Sequence, residues 1–314
     1  MGNGNNKFKK IVKTGIFITG CCYAFNKYVS SRALLKNILN KANGKKYEWK
    51  YGNIYYEVTG QGDDPILLIH DADVISSGYE WKALVPELVK DHVVYILDLP
   101  GCGRSEKPGL DYTNYFNVLM IRDFISDVIG DRTEIVTSGF SASFAVSFAA
   151  AYPDRVSRLV MINPPSLDIL KEVPSGTSKF INMLFPVPIF GRTAYYLIVN
   201  RKNIEYQLEE NCYYNPFKLK DQTIDAAYEA AHYGSGSGRY FWGSLQGKYL
   251  NMDIRRSLAL LALPTRIIYG KQLAGEIEIA KSYKQFNNRI DLAGVDMSKK
   301  LPHIEKPQET AALL

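Results

Sequence analysis

DLPGCGRSEKP, residues 98–108, follows directly on the apolar run HVVYILDL (92–99) and precedes the amphipathic stretch NYFNVLMIRDFISDVIG (114–130). Runs as continuous as 92–99 are those of strands buried on both faces, where alternation with polar residues is not needed. PILLIH (65–70) has the same texture, and TEIVTS (133–138), RLVMIN (158–163), PTRIIYG (264–270) and RIDLAGV (289–295) read as further strands. Helix-like stretches, SSGYEWKALVPELVKD and ASFAVSFAAAYP among them, separate the first four runs. That alternation predicts an α/β protein with a doubly wound, mostly parallel sheet. YEWKYGNIYYEV, with a turn at Tyr51-Gly52-Asn53, predicts a hairpin ahead of it.

The rhythm breaks between residues 165 and 257, which hold aromatic-rich helical patches and no convincing buried strand. We read this as an inserted helical cap lying over the strand edges where α/β sheets bind ligands. The expected organisation is an N-terminal membrane segment (1–30), a basic linker (31–46), a first core part (47–164), the cap (165–257) and a second core part (258–314). GSGSG (234–238) has no preceding strand and no following Gly-Lys-Ser/Thr, so it reads as a cap loop rather than a phosphate loop.

The 314 residues carry a net charge of +6, unevenly spread. Residues 1–50 hold eleven Lys and Arg against Glu48 alone, which is +10; the remainder is 27 minus 31, or −4. A basic leader on a mildly acidic body argues for a membrane-facing segment and against a nucleic-acid surface. Thr14 to Phe25 is an uncharged run of twelve residues between Lys13 and Lys27. It is short for a span of about 20 residues unless the lysines snorkel, and predicts a signal-anchor at a bacterial-type cell membrane. Ile18-Thr19-Gly20-Cys21 offers a lipobox instead, MGNGNN an acylation signal lacking its Ser or Thr, and an amphipathic surface helix is the plain alternative. Cys21, Cys22, Cys102 and Cys212 have neither disulfide-scaffold density nor zinc-site spacing, and no metal is expected. The chain is expected to be a monomer.

Ser138-Gly139-Phe140-Ser141-Ala142-Ser143 lies between a strand and a helix of small residues. A nucleophile on so tight a turn needs small residues two positions either side, and Gly139 and Ser143 frame Ser141 in that way. Backbone N–H groups of the first helical turn would suit a developing oxyanion. Ser141 is therefore the candidate nucleophile.

Taken with these elements, the chain resembles the α/β-hydrolase superfamily over roughly residues 50 to 314. Residues 98–108 match its D-x-x-G-x-G-x-S-x-x-P turn, and His70-Asp71-Ala72 stands where it has His-Gly. The resemblance implies oxyanion donors at the N–H groups of Ala142 and Ala72, with Asp71 a departure from the usual glycine. It implies an acid three positions after Gly270, where Leu273 stands; Glu276 and Glu278 read as solvent-facing and Asp168 as a substitute on another loop. It implies a base in SKKLPHIEKP (298–307), and anchoring Glu305 and Pro307 seats Lys300 there, with His303 at a second position. The expectation is a serine hydrolase with a degenerate triad and no cofactor, acting on a carboxylic ester or related acyl compound through Ser141 with Lys300 or His303. The alternative is an inactive, membrane-tethered protein binding an apolar or anionic ligand under the cap. His70 reads as a structural residue bonded to backbone, and His232 as a helix-surface residue of the cap.

Overall fold

The central apolar runs become strands because both faces of the sheet are covered there. In the computed structural model, which describes residues 2–41 and 43–314 with side chains from Lys7 onward, the strands are β1 (Lys45–Trp49), β2 (Gly52–Thr59), β3 (Asp64–Ile69), β4 (His92–Leu97), β5 (Thr133–Ser138), β6 (Val156–Ile162), β7 (Thr265–Gly270) and β8 (Asp291–Val295). MGNGNN, read above for an acylation signal, lies outside the residues described with side chains. The sheet order is β1-β2-β4-β3-β5-β6-β7-β8. β1 and β2 pair antiparallel, β2 joins β4 antiparallel, and every other pairing is parallel. Trp49 faces Gly52, so the first hairpin turns at Lys50-Tyr51, one residue earlier than its sequence suggests.

Alternate residues of one strand serve opposite layers. Leu67, Ile69, Ile135, Leu159 and Met161 join Phe124, Phe144 and Phe148 on one face. Ile66, Leu68, Val136, Val160 and Ile162 join Trp81, Leu84 and Leu88 on the other. At about 1.5–3 kcal/mol per fully buried large side chain, both faces contribute to stability, which is why no polar alternation survives in the sequence.

The turn at residues 98–108 is held by its own polar groups. Buried Asp98 accepts the N–H of Gly78 at 2.6 Å and that of Arg104 at 2.7 Å, and pairs with the Arg104 guanidinium at 2.8 Å. Ser105 donates to the Asp98 carbonyl at 2.6 Å and accepts from the Tyr55 N–H at 2.8 Å. Gly103 has φ +47°, and a Cβ there would sit 2.3 Å from the Asp98 carboxylate, so only glycine closes the turn.

Preceding the sheet is a long helix, α1 (Gly2–Arg32). Two helices that frame the site in the core are α2 (Asn114–Phe124) and α3 (Ala142–Ala151). Between β6 and β7 the described residues form helices and loops without a strand: α4 (Gly176–Leu184), α5 (Phe190–Ile198), α6 (Arg201–Gln207), α7 (Asp221–His232) and α8 (Gly238–Gln246), with GSGSG joining α7 to α8. Beyond β7 lies α9 (Glu276–Phe286). His232, expected on a helix surface, is buried between the rings of Tyr196 and Tyr228, with Nδ1 2.8 Å from the Tyr228 carbonyl.

No described helix is long and apolar enough to cross a membrane. The C-terminal half of α1 packs along α5: Asn26 donates to the Ile189 carbonyl at 2.9 Å, Thr193 donates to Asn26 at 3.1 Å, and the Ser30 and Tyr196 hydroxyls lie 2.7 Å apart.

Candidate functional site

β5 ends at Ser138 in extended geometry, and the chain reverses at the next residue. Gly139 has φ +55°; Ser141 already has helical φ of −64° and leads into α3. The apex of the elbow is thus Gly139, two residues before the expected nucleophile. Ser141 is fully buried, donates to the Ser138 carbonyl at 2.7 Å and lies 3.3 Å from that of Ile69. The Ser141 hydroxyl thus lies buried among carbonyls beneath the elbow, not exposed at its apex as a nucleophile there was expected to be. It occupies the small-residue position two after the apex, with Thr137 two before it.

What faces the apex is Asp71. A Cβ on Gly139 would sit 2.3 Å from the Asp71 carboxyl carbon, closer than any real contact. Asp71 Oδ1 accepts the Phe140 N–H at 2.8 Å, and Oδ2 pairs with Lys300 Nζ at 2.7 Å. The N–H just after the apex is the one an elbow offers to an oxyanion, and here a resident carboxylate takes it. The expected donor at Ala142 is corrected as well, since its N–H is spent on the carbonyls of Gly139 and Phe140. Ala72 is buried in the loop between Asp71 and Asp73.

Lys300, the base candidate read from the final loop, is paired with the Asp71 carboxylate. Asp71 beside it holds the ammonium well above the usual lysine range in spite of partial burial. The loop is pinned: Asn163 donates to the carbonyls of Lys299 and Lys300 at 3.0 and 2.8 Å, and Glu305 accepts the N–H groups of Lys299 and Tyr214 at 2.9 and 2.8 Å.

His303 is fully buried against the Trp81 ring at 4.6 Å, with Nε2 3.0 Å from Glu80 Oε1. The second candidate base is thus committed to a carboxylate that the sequence did not single out. Burial alone would raise the Glu80 carboxyl, but His303 holds it below the usual range. His70 takes the Leu99 N–H on Nε2 at 2.9 Å, which assigns its proton to Nδ1, 2.7 Å from the Asp71 carbonyl; its role is to hold the loop.

Leu273 leaves the acid position apolar. Glu276, expected to face solvent, instead has a buried carboxylate oxygen without a partner, and burial pushes its pKa up to about 7 against the opposing charge of Lys300. Asp168 is exposed and pairs with Lys171 at 2.6 Å and Arg255 at 3.2 Å. Among the described residues no group of three or more His, Cys, Asp and Glu side chains is placed to hold a metal ion.

Beside the Asp71–Lys300 pair opens a cavity of about 600 Å³. Its walls come from residues 71–83 after β3, from residues 207–227 of the helical insertion and from residues 300–305. Ile75, Leu208, Tyr213, Leu301 and Ile304 supply apolar surface, while Asp71, Asp73, Glu80 and Lys300 supply charge. Neither Gly139 nor Ser141 lines it. Its size suits a small organic molecule.

The sheet, the Asp98 turn and the elbow have their counterpart in sequence: the alpha/beta hydrolase family matches over residues 66–313. The chain belongs to that family. One curated relative, a 2-hydroxy-6-oxo-2,4-heptadienoate hydrolase of Pseudomonas putida, is 24% identical over 149 residues, 47% of this chain and 53% of that protein. The chain spans about half the length of the curated relatives it matches. Among solved structures, a serine hydrolase involved in carbazole degradation superposes with a TM-score of 0.71 at 16% identity, covering 86% of this chain and 96% of that one. A membrane phospholipase A described as a bacterial virulence factor superposes with a TM-score of 0.65 at 16% identity, covering 98% and 96%. These are likenesses of fold. Within the family, this chain has a glycine at the elbow apex and an aspartate–lysine pair in front of it.

The clue to that pair lay in two departures noted separately. Asp71, read as a departure from the usual glycine, and Lys300, read at the seat of the base, carry complementary charges and lie 2.7 Å apart.

Proposed function

We propose that this chain is a non-hydrolysing member of the alpha/beta hydrolase family that binds a ligand in the cavity beneath its helical insertion. The observation that carries this reading is the apex glycine, which has no side chain to attack with, while the Asp71 carboxylate takes the adjacent N–H and pairs with Lys300. Acyl transfer needs a nucleophile, a base and vacant oxyanion donors. Ser141 is sealed, Lys300 is held protonated, His303 is bound to Glu80, and an anion at Phe140 repels a developing oxyanion. The apolar wall and charged floor fit a ligand with an apolar body and one polar group that reaches the Asp71–Lys300 pair.

The test uses the purified full-length chain. A fluorophosphonate probe is expected to leave it unlabelled, p-nitrophenyl esters are expected to turn over no faster than in buffer, and Ser141→Ala is expected to change neither result. Dodecanoate or dodecylamine is expected to raise the melting temperature of the wild type and not that of Ala227→Trp, which fills the cavity. Labelling that disappears in Ser141→Ala would restore the hydrolase reading.

A further inference from the structure

Residues 7–18 of α1 are exposed along their whole length. Six of them, Phe8, Ile11, Val12, Ile16, Phe17 and Ile18, are large apolar side chains between 42% and 72% exposed. A soluble surface helix turns such residues inward; here they stay exposed among the described residues. Lys7, Lys9, Lys10 and Lys13 share the same segment, and no Asp or Glu occurs in the chain before Glu48.

The direction of α1 brings a second apolar surface to the same end of the molecule. Asn26 meets Ile189 and Thr193, and Ser30 meets Tyr196, so α1 and α5 run parallel. The free half of α1 therefore projects past the N-terminal end of α5, with Lys7 about 28 Å from Asn26 along the axis. At that end the insertion exposes Phe180, Met183, Leu184, Val187 and Phe190. Ile189, which anchors Asn26, sits at φ +63°, a strained conformation for a β-branched residue. The contact that aims α1 is thus built into the insertion.

We propose that residues 7–18 of α1 and the apolar ridge at 180–190 form one docking surface for an anionic lipid bilayer. The uncharged run Thr14–Phe25 is about 18 Å long as a helix, short of the roughly 30 Å hydrocarbon core, so the helix seats in one leaflet rather than crossing. Its apolar side chains enter the acyl boundary, its lysines meet lipid phosphates, and the ridge supplies a second contact that fixes the orientation of the body. Charge selects this occupant over a second copy of the chain, which would bring an equally basic segment against this one.

Co-sedimentation of the full-length chain with vesicles tests the proposal. Vesicles of equimolar phosphatidylglycerol and phosphatidylcholine are expected to retain it, and vesicles of phosphatidylcholine alone to retain it far less. Replacing the four lysines (Lys7→Gln, Lys9→Gln, Lys10→Gln, Lys13→Gln) is expected to weaken retention at least about tenfold. The ridge variant Phe180→Ser, Val187→Ser, Phe190→Ser, with α1 intact and an unchanged melting temperature, is expected to weaken it as well. Equal retention on both vesicle types, retention on neither, or a folded ridge variant that binds as tightly as wild type would overturn the proposal.

Discussion

At residue 139 one hydrogen in place of a side chain decides what the elbow can do. With φ +55° the position costs any L-residue about 1–2 kcal/mol, and the Asp71 carboxyl adds a steric clash. Gly139→Ser alone is therefore expected to destabilise the protein and to remain unlabelled by a fluorophosphonate. Adding Asp71→Gly and Lys300→His vacates the space, frees the Phe140 N–H and places an imidazole in the lysine's seat. The triple variant is expected to label at position 139, as intact-mass analysis and peptide mapping would reveal. A folded but unlabelled triple variant would mean that residue 139 is not presented to the site as its backbone suggests.

Among the elements, α7 carries a titratable lock. Burial lowers the His232 pKa to about 4, and its ring stacks on Tyr196 of α5 at 5.0 Å. The unfolded imidazole titrates near 6.5, so the folded state binds fewer protons between these values. The contribution is complete above about 6.5 and is lost as pH falls through about 4, with a total of about 3 kcal/mol. Urea midpoints are expected to fall from pH 7 to pH 4.5 in the wild type and to fall less in His232→Phe, which keeps a ring but cannot titrate. Equal losses in the two proteins would assign the acid sensitivity to other groups. Because α5 also receives α1 through Asn26 and Ser30, loosening this junction should free the helix that we propose docks on lipid.

Over the whole molecule, the charge divides into a basic leader of +10 and a body of −4. An electrostatic share of bilayer binding must therefore weaken with salt. Raising salt from about 0.1 M to about 1 M shortens the Debye length from about 10 Å to about 3 Å, and retention on anionic vesicles is expected to fall by more than about tenfold. Salt-insensitive retention would assign the binding to apolar insertion alone. The same scale separates fold from activity: the chain belongs to the alpha/beta hydrolase family, while a paired anion and cation, Asp71 and Lys300, stand in front of the apex.

The central strands β3 and β4 were legible from sequence because burial on both faces demands uninterrupted apolar runs. The Asp98 turn was legible because its glycines and polar groups satisfy one another locally, within a few residues. The spacing of Lys300 to Glu305 and Pro307 marked that residue but not its partner. The elbow's apex was not legible, since Gly139-Phe140-Ser141-Ala142-Ser143 and Thr137-Ser138-Gly139-Phe140-Ser141 both frame a central residue with small neighbours. Only the end of β5 at Ser138, paired with Ile162 of β6, and the positive φ that follows choose between them. Nor did spacing reveal the Asp71–Lys300 pair, the commitment of His303 to Glu80, the half-buried carboxylate of Glu276 or the burial of His232. Local sequence encodes periodicity and turn chemistry, but a charge's partner and its exposure depend on which distant segments the sheet brings together, and that is decided only in the folded chain.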